Sequence, residues 1–143
     1  MRAARLAPRL VVALLLLAGC RGLPPGGSDF ARFGGLEGIS AIVEDTLVRS
    51  ARDPRIAHHF ENANLVRLHE KLTEQVCVEV GGPCAYTGFP MPQVHDGRDI
   101  DAADFNALVE HLIEAMEARG VPRPAQYRLI EKLARMHPDV TYR

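Results

Sequence analysis

Residues 81–95 read Gly-Gly-Pro-Cys-Ala-Tyr-Thr-Gly-Phe-Pro-Met-Pro-Gln-Val-His. Glycines beside a proline end a helix, and the later prolines leave room only for a short helical turn around Met91–Asp96. A long irregular connection inside a compact domain is usually functional or mobile. It contains one histidine, His95, so this stretch is the first place to look for chemistry.

Helical patterns lie on both sides of this stretch. Before it, apolar residues at three- and four-residue spacing predict one helix over residues 36–52 and another that begins after Asn64. After it, Asp101 is expected to cap the longest helix, Gly120 to end it, and a last helix to cover about 124–136. Four substantial helices and no convincing strand predict an all-α fold.

The N-terminus has the composition of an export signal. Residues 1–19 contain three arginines, no acidic residue and an apolar run shorter than the roughly 20 residues of a bilayer-spanning helix. The residues before Cys20 resemble the lipobox of bacterial lipoproteins, whose cysteine receives the lipid. We expect a signal peptide over 1–19, a lipidated Cys20 with a Pro/Gly-rich linker over 20–31, and a domain over 32–143. An ordinary cleaved signal with an incidental cysteine is the alternative.

This interpretation places the protein in the cell envelope, anchored by lipid and facing the periplasm. Arg21 follows Cys20 where an aspartate commonly retains such proteins at the inner membrane, so the outer membrane is favoured. The whole chain has 17 basic and 18 acidic residues. Removal of residues 1–19 takes away three arginines and leaves 14 basic and 18 acidic residues. This mild acidity gives no electrostatic footprint for nucleic acid, and we expect a monomer.

Two cysteines remain once Cys20 is assigned to lipid. Cys77 and Cys84 flank the turn at residues 81–83, and an oxidising compartment pairs such cysteines. We therefore predict a disulfide bond between them, with two unrelated buried thiols as the alternative.

The six histidines form no spacing that specifies zinc, and no Ser/His/Asp or Cys/His arrangement stands out. His111 lies opposite the apolar stripe of its helix and is expected in solvent. Catalysis by side chains alone is not supported, so these residues predict no enzyme.

A set of motifs follows in order along the chain. They are Phe33-Gly34-Gly35, Asp53-Pro54 with His59-Phe60, Gly81-Gly82-Pro83 with Tyr86-Thr87-Gly88, Met91-x-x-Val94-His95, and Ile100 with Phe105. This ordered set resembles the truncated hemoglobins of group one, from about residue 31 to the C-terminus. The resemblance implies a globin-like two-over-two helical sandwich with a short proximal helix turn, one heme b, and reversible binding of oxygen, nitric oxide or carbon monoxide.

The resemblance also implies roles for individual residues. His95 would be the proximal ligand of the heme iron, and one histidine suffices because burial of the porphyrin supplies the remaining affinity. Lys71 and Arg98 would reach the propionates, with solvated surface charge as the alternative for both. The residues placed at the cofactor are Phe60, Lys71, Tyr86, Met91, Arg98, Ile100 and Phe105.

The distal side departs from the family pattern. The family usually has a tyrosine on the first long helix and often a glutamine on the next, both donating hydrogen bonds to oxygen. Here the distal pocket is formed by Thr46, Leu47, Leu68 and Leu72, with Leu47 at the tyrosine position. A hydrogen bond to a charged acceptor is worth about 1.5–3 kcal/mol. We therefore expect weakened oxygen binding.

Other arrangements of the distal side stay open. The side chain of Thr46, His69 or Gln75 could turn into the distal pocket and supply a polar group there. His69, however, lies about 60° from the middle of the leucine arc and is expected to pack against a neighbouring helix. Two other functions also remain: a heme-dependent redox or electron-transfer protein that removes nitric oxide, and a heme-free interaction module. The sequence identifies no reductase.

Overall fold

The computed structural model describes residues 27–143. The predicted signal peptide over 1–19, Cys20 and the linker up to residue 26 lie outside the described residues. The helices are α1 (Asp29–Arg32), α2 (Gly35–Ser50), α3 (Leu65–Glu79), α4 (Met91–His95), α5 (Ala102–Ala118), α6 (Arg123–Arg135) and α7 (His137–Val140), with a 3₁₀ turn at Ala57–His59. Residues 27–143 contain no strand, and the predicted all-α class is confirmed.

Helix α1 begins inside the residues that the sequence assigns to the linker. The Ser28 hydroxyl caps it by accepting from the Ala31 N–H at 3.3 Å. Phe30 packs against the core, and its N–H donates to the backbone oxygen of Val80 at 3.1 Å. Residues Asp29–Arg32 are therefore helical although the sequence assigns them to the linker, because a four-residue helix is too short to show a periodic pattern.

The long helices start and end at the predicted signals. Asn64 Oδ1 accepts from the Arg67 N–H at 3.0 Å, and Asp101 forms a capping box with Asp104. These bonds satisfy N–H groups that have no partner inside a helix. Beyond α5, Gly120 adopts a left-handed conformation with φ 68°, which an L side chain rarely tolerates.

Two helix pairs pack on each other around one core. Helix α2 packs on α3 and α5 on α6, and the pairs meet where α2 contacts α5 and α3 contacts α6. This arrangement is the predicted two-over-two sandwich. The largest buried side chains include Phe33, Ile39, Ile42 and Met116. The main partner of α4 is α7, and no helix in residues 27–143 is both long and apolar enough to cross a membrane.

Candidate functional site

The predicted proximal histidine lies at the C-terminal end of the five-residue helix α4. Pro92 lies in the first turn of this helix, where a missing N–H costs no hydrogen bond. His95 is half-buried, and its Nδ1 donates to the backbone oxygen of Met91 at 2.8 Å. Its Nε2 has no hydrogen-bond partner among residues 27–143. This nitrogen is therefore free to bind a ligand.

The surroundings of His95 favour the neutral form of its ring. Burial lowers its pKa below the ordinary value, the bond to Met91 opposes this, and the positive charge of Arg98 lowers the pKa further. The neutral imidazole is the form that binds metals. A carbonyl acceptor on the second ring nitrogen also fixes the tautomer and the ring orientation, as in most metal-bound histidines. His95 thus fits the role of an iron ligand.

An open cleft of about 630 Å³ is lined by Val94 and Asp96, the chain neighbours of His95, although His95 itself does not line it. Arg67 of α3 lines it together with Val94 of α4, Phe89 and Arg98. Its volume falls in the range of about 300–1,000 Å³ that small-molecule and cofactor sites occupy. Arg67 and Arg98 line the cleft together with Asp96, and the two arginines suit a ligand that carries carboxylates. Arg98 was predicted at the cofactor, whereas Arg67 was not, although it lies one turn before Lys71 on the same helix.

Apolar side chains on α3 and in the loop before it are only partly covered. Phe60, Leu68 and Leu72 pack against the core yet stay half-buried. Phe89 is 54% exposed at the cleft. Covering apolar surface contributes about 25 cal/mol per Å², so a flat apolar ligand would gain affinity here. A heme needs partly covered apolar surface and a free histidine nitrogen, and the described residues supply both, the second as Nε2 of His95.

The Tyr86-Thr87-Gly88 motif shapes the loop that leads to α4. The Tyr86 hydroxyl donates to the backbone oxygen of Phe89 at 2.9 Å. A Cβ on Gly88 would collide with that hydroxyl, so only glycine fits at this position. Tyr86 therefore orders the loop, and its contact with the cofactor stays a prediction.

Three other predicted cofactor contacts lie near α4 and α7. Met91 begins α4 and is half-buried. The ring of Phe105 meets the edge of His137 with centroids 4.8 Å apart, and the backbone oxygen of Ile100 accepts from the Tyr142 N–H at 2.8 Å. The structure thus gathers these residues on the side of the molecule that carries His95.

Lys71 makes bonds that the sequence did not predict. Its Nζ donates to Thr87 Oγ1 at 2.6 Å, to Glu74 at 2.8 Å and to Glu70 at 2.9 Å. Its side chain is only 17% exposed. Lys71 is therefore not a solvated surface charge. To contact a propionate as predicted, its ammonium group would have to bind the propionate in addition to Thr87, Glu74 and Glu70.

Two of the polar side chains considered for the distal side are bonded within their own helices. Leu47 is 6% exposed and lies in the core. The Thr46 hydroxyl donates to the backbone oxygen of Ile42 at 2.8 Å. Gln75 donates to the Glu79 carboxylate at 2.9 Å. Both polar side chains are thus held by their own helices.

Two other histidines link the loop between α2 and α3 to α5. The expectation that His111 lies in solvent is wrong, because its side chain is 12% exposed and its Nε2 lies 2.9 Å from Asp53 Oδ2. His59 similarly lies 3.1 Å from Asp104. Within the described part of the chain, no three His, Cys, Asp or Glu side chains gather to hold a bare metal ion.

A disulfide bond joins Cys77 to Cys84, with their Cα atoms 5.9 Å apart. It ties the end of α3 to the segment that leads to α4. Gly82 completes this turn, since a Cβ there would lie 2.6 Å from the sulfur of Cys77. The glycine pair and the disulfide thus belong to one compact structure.

Comparison with known proteins identifies the same family along the chain. A sequence model of the family described as bacterial-like globin matches residues 28–142. Group 1 truncated hemoglobin GlbN of Mycolicibacterium paratuberculosis is 35% identical over 113 residues, which cover 79% of this chain and 83% of that protein.

Solved structures share the fold. The truncated hemoglobin from Tetrahymena pyriformis in its Fe(III) form has a TM-score of 0.76 and 22% identity, covering 80% of this chain and 98% of that one. The 2/2 hemoglobin from Synechococcus has a TM-score of 0.74 and 18% identity, and the match covers 82% of this chain and 100% of that one. The chain therefore belongs to the bacterial-like globin family as a group 1 truncated hemoglobin, a class of proteins whose cofactor is heme b.

Proposed function

We propose that the protein holds heme b through His95 and reversibly binds a diatomic gas in the cell envelope, where lipid on Cys20 anchors it facing the periplasm. The observation that carries the heme proposal is the His95 ring. Its Nδ1 is fixed to Met91 at 2.8 Å, its Nε2 is free among the described residues, and burial lowers its pKa. When bound, the heme supplies an iron centre that takes a small gas.

The chemistry of the distal side favours nitric oxide or carbon monoxide over oxygen. Leu47, Leu68 and Leu72 donate no hydrogen bond, whereas oxygen held at a ferrous heme gains about 1.5–3 kcal/mol from such a bond. Nitric oxide and carbon monoxide depend on it less. The same apolar face disfavours an enzyme that consumes oxygen to oxidise nitric oxide, and we propose gas binding rather than turnover.

The proposed location is supported by the sequence of residues 1–20 and by the disulfide. Disulfide bonds persist in oxidising compartments such as the periplasm and are rare in the cytosol. Replacing Cys20 by alanine tests the anchor: the wild-type chain should incorporate labelled palmitate, and the variant should not. Equal labelling of the two chains, or no label in either, would contradict a lipid on Cys20 and leave the heme proposal untouched.

An ultraviolet–visible spectrum tests the heme proposal. The chain is purified from heme-fed cells and measured in ferric and dithionite-reduced forms, with and without carbon monoxide. We expect a Soret band with one heme per chain and a five-coordinate ferrous form that shifts with carbon monoxide. A six-coordinate ferrous form without added gas would favour electron transfer instead. A folded, colourless chain that refuses hemin would favour a heme-free interaction module.

A further inference from the structure

A charged group ties the loop before α4 to helix α3. The backbone N–H of Thr87 donates to Glu74 at 2.8 Å, and the Thr87 hydroxyl lies 2.9 and 3.0 Å from the two carboxylate oxygens. Lys71 donates to Glu74 at 2.8 Å and to the Thr87 hydroxyl at 2.6 Å. We call Lys71, Glu74 and Thr87 the Thr87 latch.

The latch is partly shielded from solvent and charged at physiological pH. The side chains of Lys71 and Glu74 are 17% and 21% exposed. The bond from Lys71, followed by the backbone N–H of Thr87, lowers the pKa of Glu74 to about 2. Hydrogen bonds in which one partner is ionised are shorter and stronger than neutral ones. Three donors on one carboxylate therefore make a firm attachment.

The latch acts on a segment that has little regular structure of its own. Residues 80–90 contain no helix, and the main helix packed on α4 is α7 rather than α3. The Cys77–Cys84 disulfide fixes the start of this segment to α3, and Thr87 fixes its middle. Helix α3 and the segment that leads to His95 are thus joined at two points.

We propose that Glu74 is a positioning residue of the heme site: by holding Thr87 to α3, it sets the separation between α3 and His95. The inference rests on the proposed heme function. Lys71 orients the Glu74 carboxylate within the latch, which gives this lysine a role independent of any propionate contact.

The test compares Glu74→Ala with Glu70→Ala in the full chain, expressed with its own N-terminus. Glu70 is a matched control because it lies on the same helix and also accepts from Lys71, at 2.9 Å, yet has no bond to Thr87. Thr87→Val and Thr87→Ser form a second pair, since only serine keeps the hydroxyl. The readouts are heme release to an excess of apomyoglobin, the iron–histidine stretching band in the ferrous Raman spectrum, and amide hydrogen exchange of residues 85–95 without heme.

We expect Glu74→Ala to release heme about tenfold faster, because a charge-assisted hydrogen bond is lost. We also expect a shifted or broadened iron–histidine band and faster exchange at residues 85–95. Glu70→Ala and Thr87→Ser should release heme and exchange amide hydrogens at the wild-type rates. The rates of Thr87→Val should lie between those of the wild type and those of Glu74→Ala. Heme release, Raman band and exchange in Glu74→Ala that match Glu70→Ala would overturn the proposal.

The failure of the proposed function gives a different result. A wild-type chain that takes up no heme refutes the heme proposal and, with it, the positioning of a heme ligand. Amide hydrogen exchange can still be measured in that heme-free protein, and it reports whether the Thr87 latch holds residues 85–95. Faster exchange in Glu74→Ala would support the attachment of residues 85–95 to α3, and unchanged exchange would overturn it.

Discussion

Nε2 of His69 lies 3.0 Å from the backbone oxygen of Ser40, so this histidine of α3 is bound to α2. A carbonyl oxygen can only accept, so Nε2 is the donor of this hydrogen bond. The predicted packing of His69 against a neighbouring helix agrees with this contact. Since Thr46 is also bound, to Ile42, two of the polar side chains that could have restored a distal donor are engaged elsewhere.

Replacing Leu47 by tyrosine should add the missing donor. We expect oxygen to dissociate at least about tenfold more slowly, because a hydrogen bond to a charged acceptor contributes about 1.5–3 kcal/mol. Carbon monoxide dissociation should change less. Stopped-flow displacement of oxygen by carbon monoxide measures the first rate.

The control is Leu47→Phe, which adds the ring without the hydroxyl. If phenylalanine slows oxygen dissociation as much as tyrosine does, steric closure explains the effect. An unchanged rate in Leu47→Tyr would contradict the description of the distal side as lacking a donor.

The helix boundaries could be predicted because their signals are local, whereas the role of His95 came from the family resemblance. Asn64 and Asp101 cap the helices that they precede, and the prolines around Met91 confine α4 to a single turn. In each case the residue and its effect lie within a few positions of each other in the chain.

The contacts that could not be predicted join distant segments. Lys71 and Thr87 are 16 residues apart, and Asp53 and His111 are 58 residues apart. Helical angle placed His111 outside the apolar stripe, but it could not show that a carboxylate from the loop after α2 covers that position. Periodicity reports which face is apolar, whereas ion pairs depend on the tertiary packing.

Replacing His95 by alanine should abolish iron ligation. The chain should still fold, because the side chain bonds only to its own helix at Met91. Heme titration should show a loss of the five-coordinate ferrous spectrum, and added imidazole should restore it in part by occupying the vacated space. His58→Ala is a suitable control, since His58 is exposed to solvent. A ferrous spectrum that persists in His95→Ala would show that another residue binds the iron.

The disulfide should stabilise the fold by closing a short loop. The double variant Cys77→Ala, Cys84→Ala should lose about 2–3 kcal/mol of unfolding free energy in the chain-entropy model, measured by urea denaturation. The exported wild-type chain should offer neither of these thiols to a labelling reagent without reductant. Labelling of Cys77 or Cys84 under those conditions would contradict the disulfide bond. The control for the denaturation experiment is Cys20→Ala, which should leave the unfolding free energy unchanged.

Asp29 should make stability depend on pH in the acid range. Its carboxylate accepts from Arg128 at 2.6 and 2.7 Å and from Arg32 at 2.9 Å. Chiefly through the bond to Arg128, its pKa is lowered from 3.8 to about 2. Because the folded pKa is the lower one, the stabilisation is fully present above pH 3.8 and is lost as the pH falls towards 2.

Asp29→Asn should therefore cost about 1 kcal/mol at pH 5, a value reduced for solvent screening because Arg128 is half exposed. At a pH near 2 the difference from the wild type should shrink to a small fraction, since the folded wild-type carboxyl is then about half protonated and the unfolded one almost fully protonated. Urea denaturation of both chains at the two pH values measures this difference in unfolding free energy. Asp139→Asn is the control, because the Asp139 carboxylate is 49% exposed and 3.5 Å from Arg143. An Asp29→Asn deficit that stays the same at both pH values would mean that packing of α1, rather than the charge, holds this end of the chain.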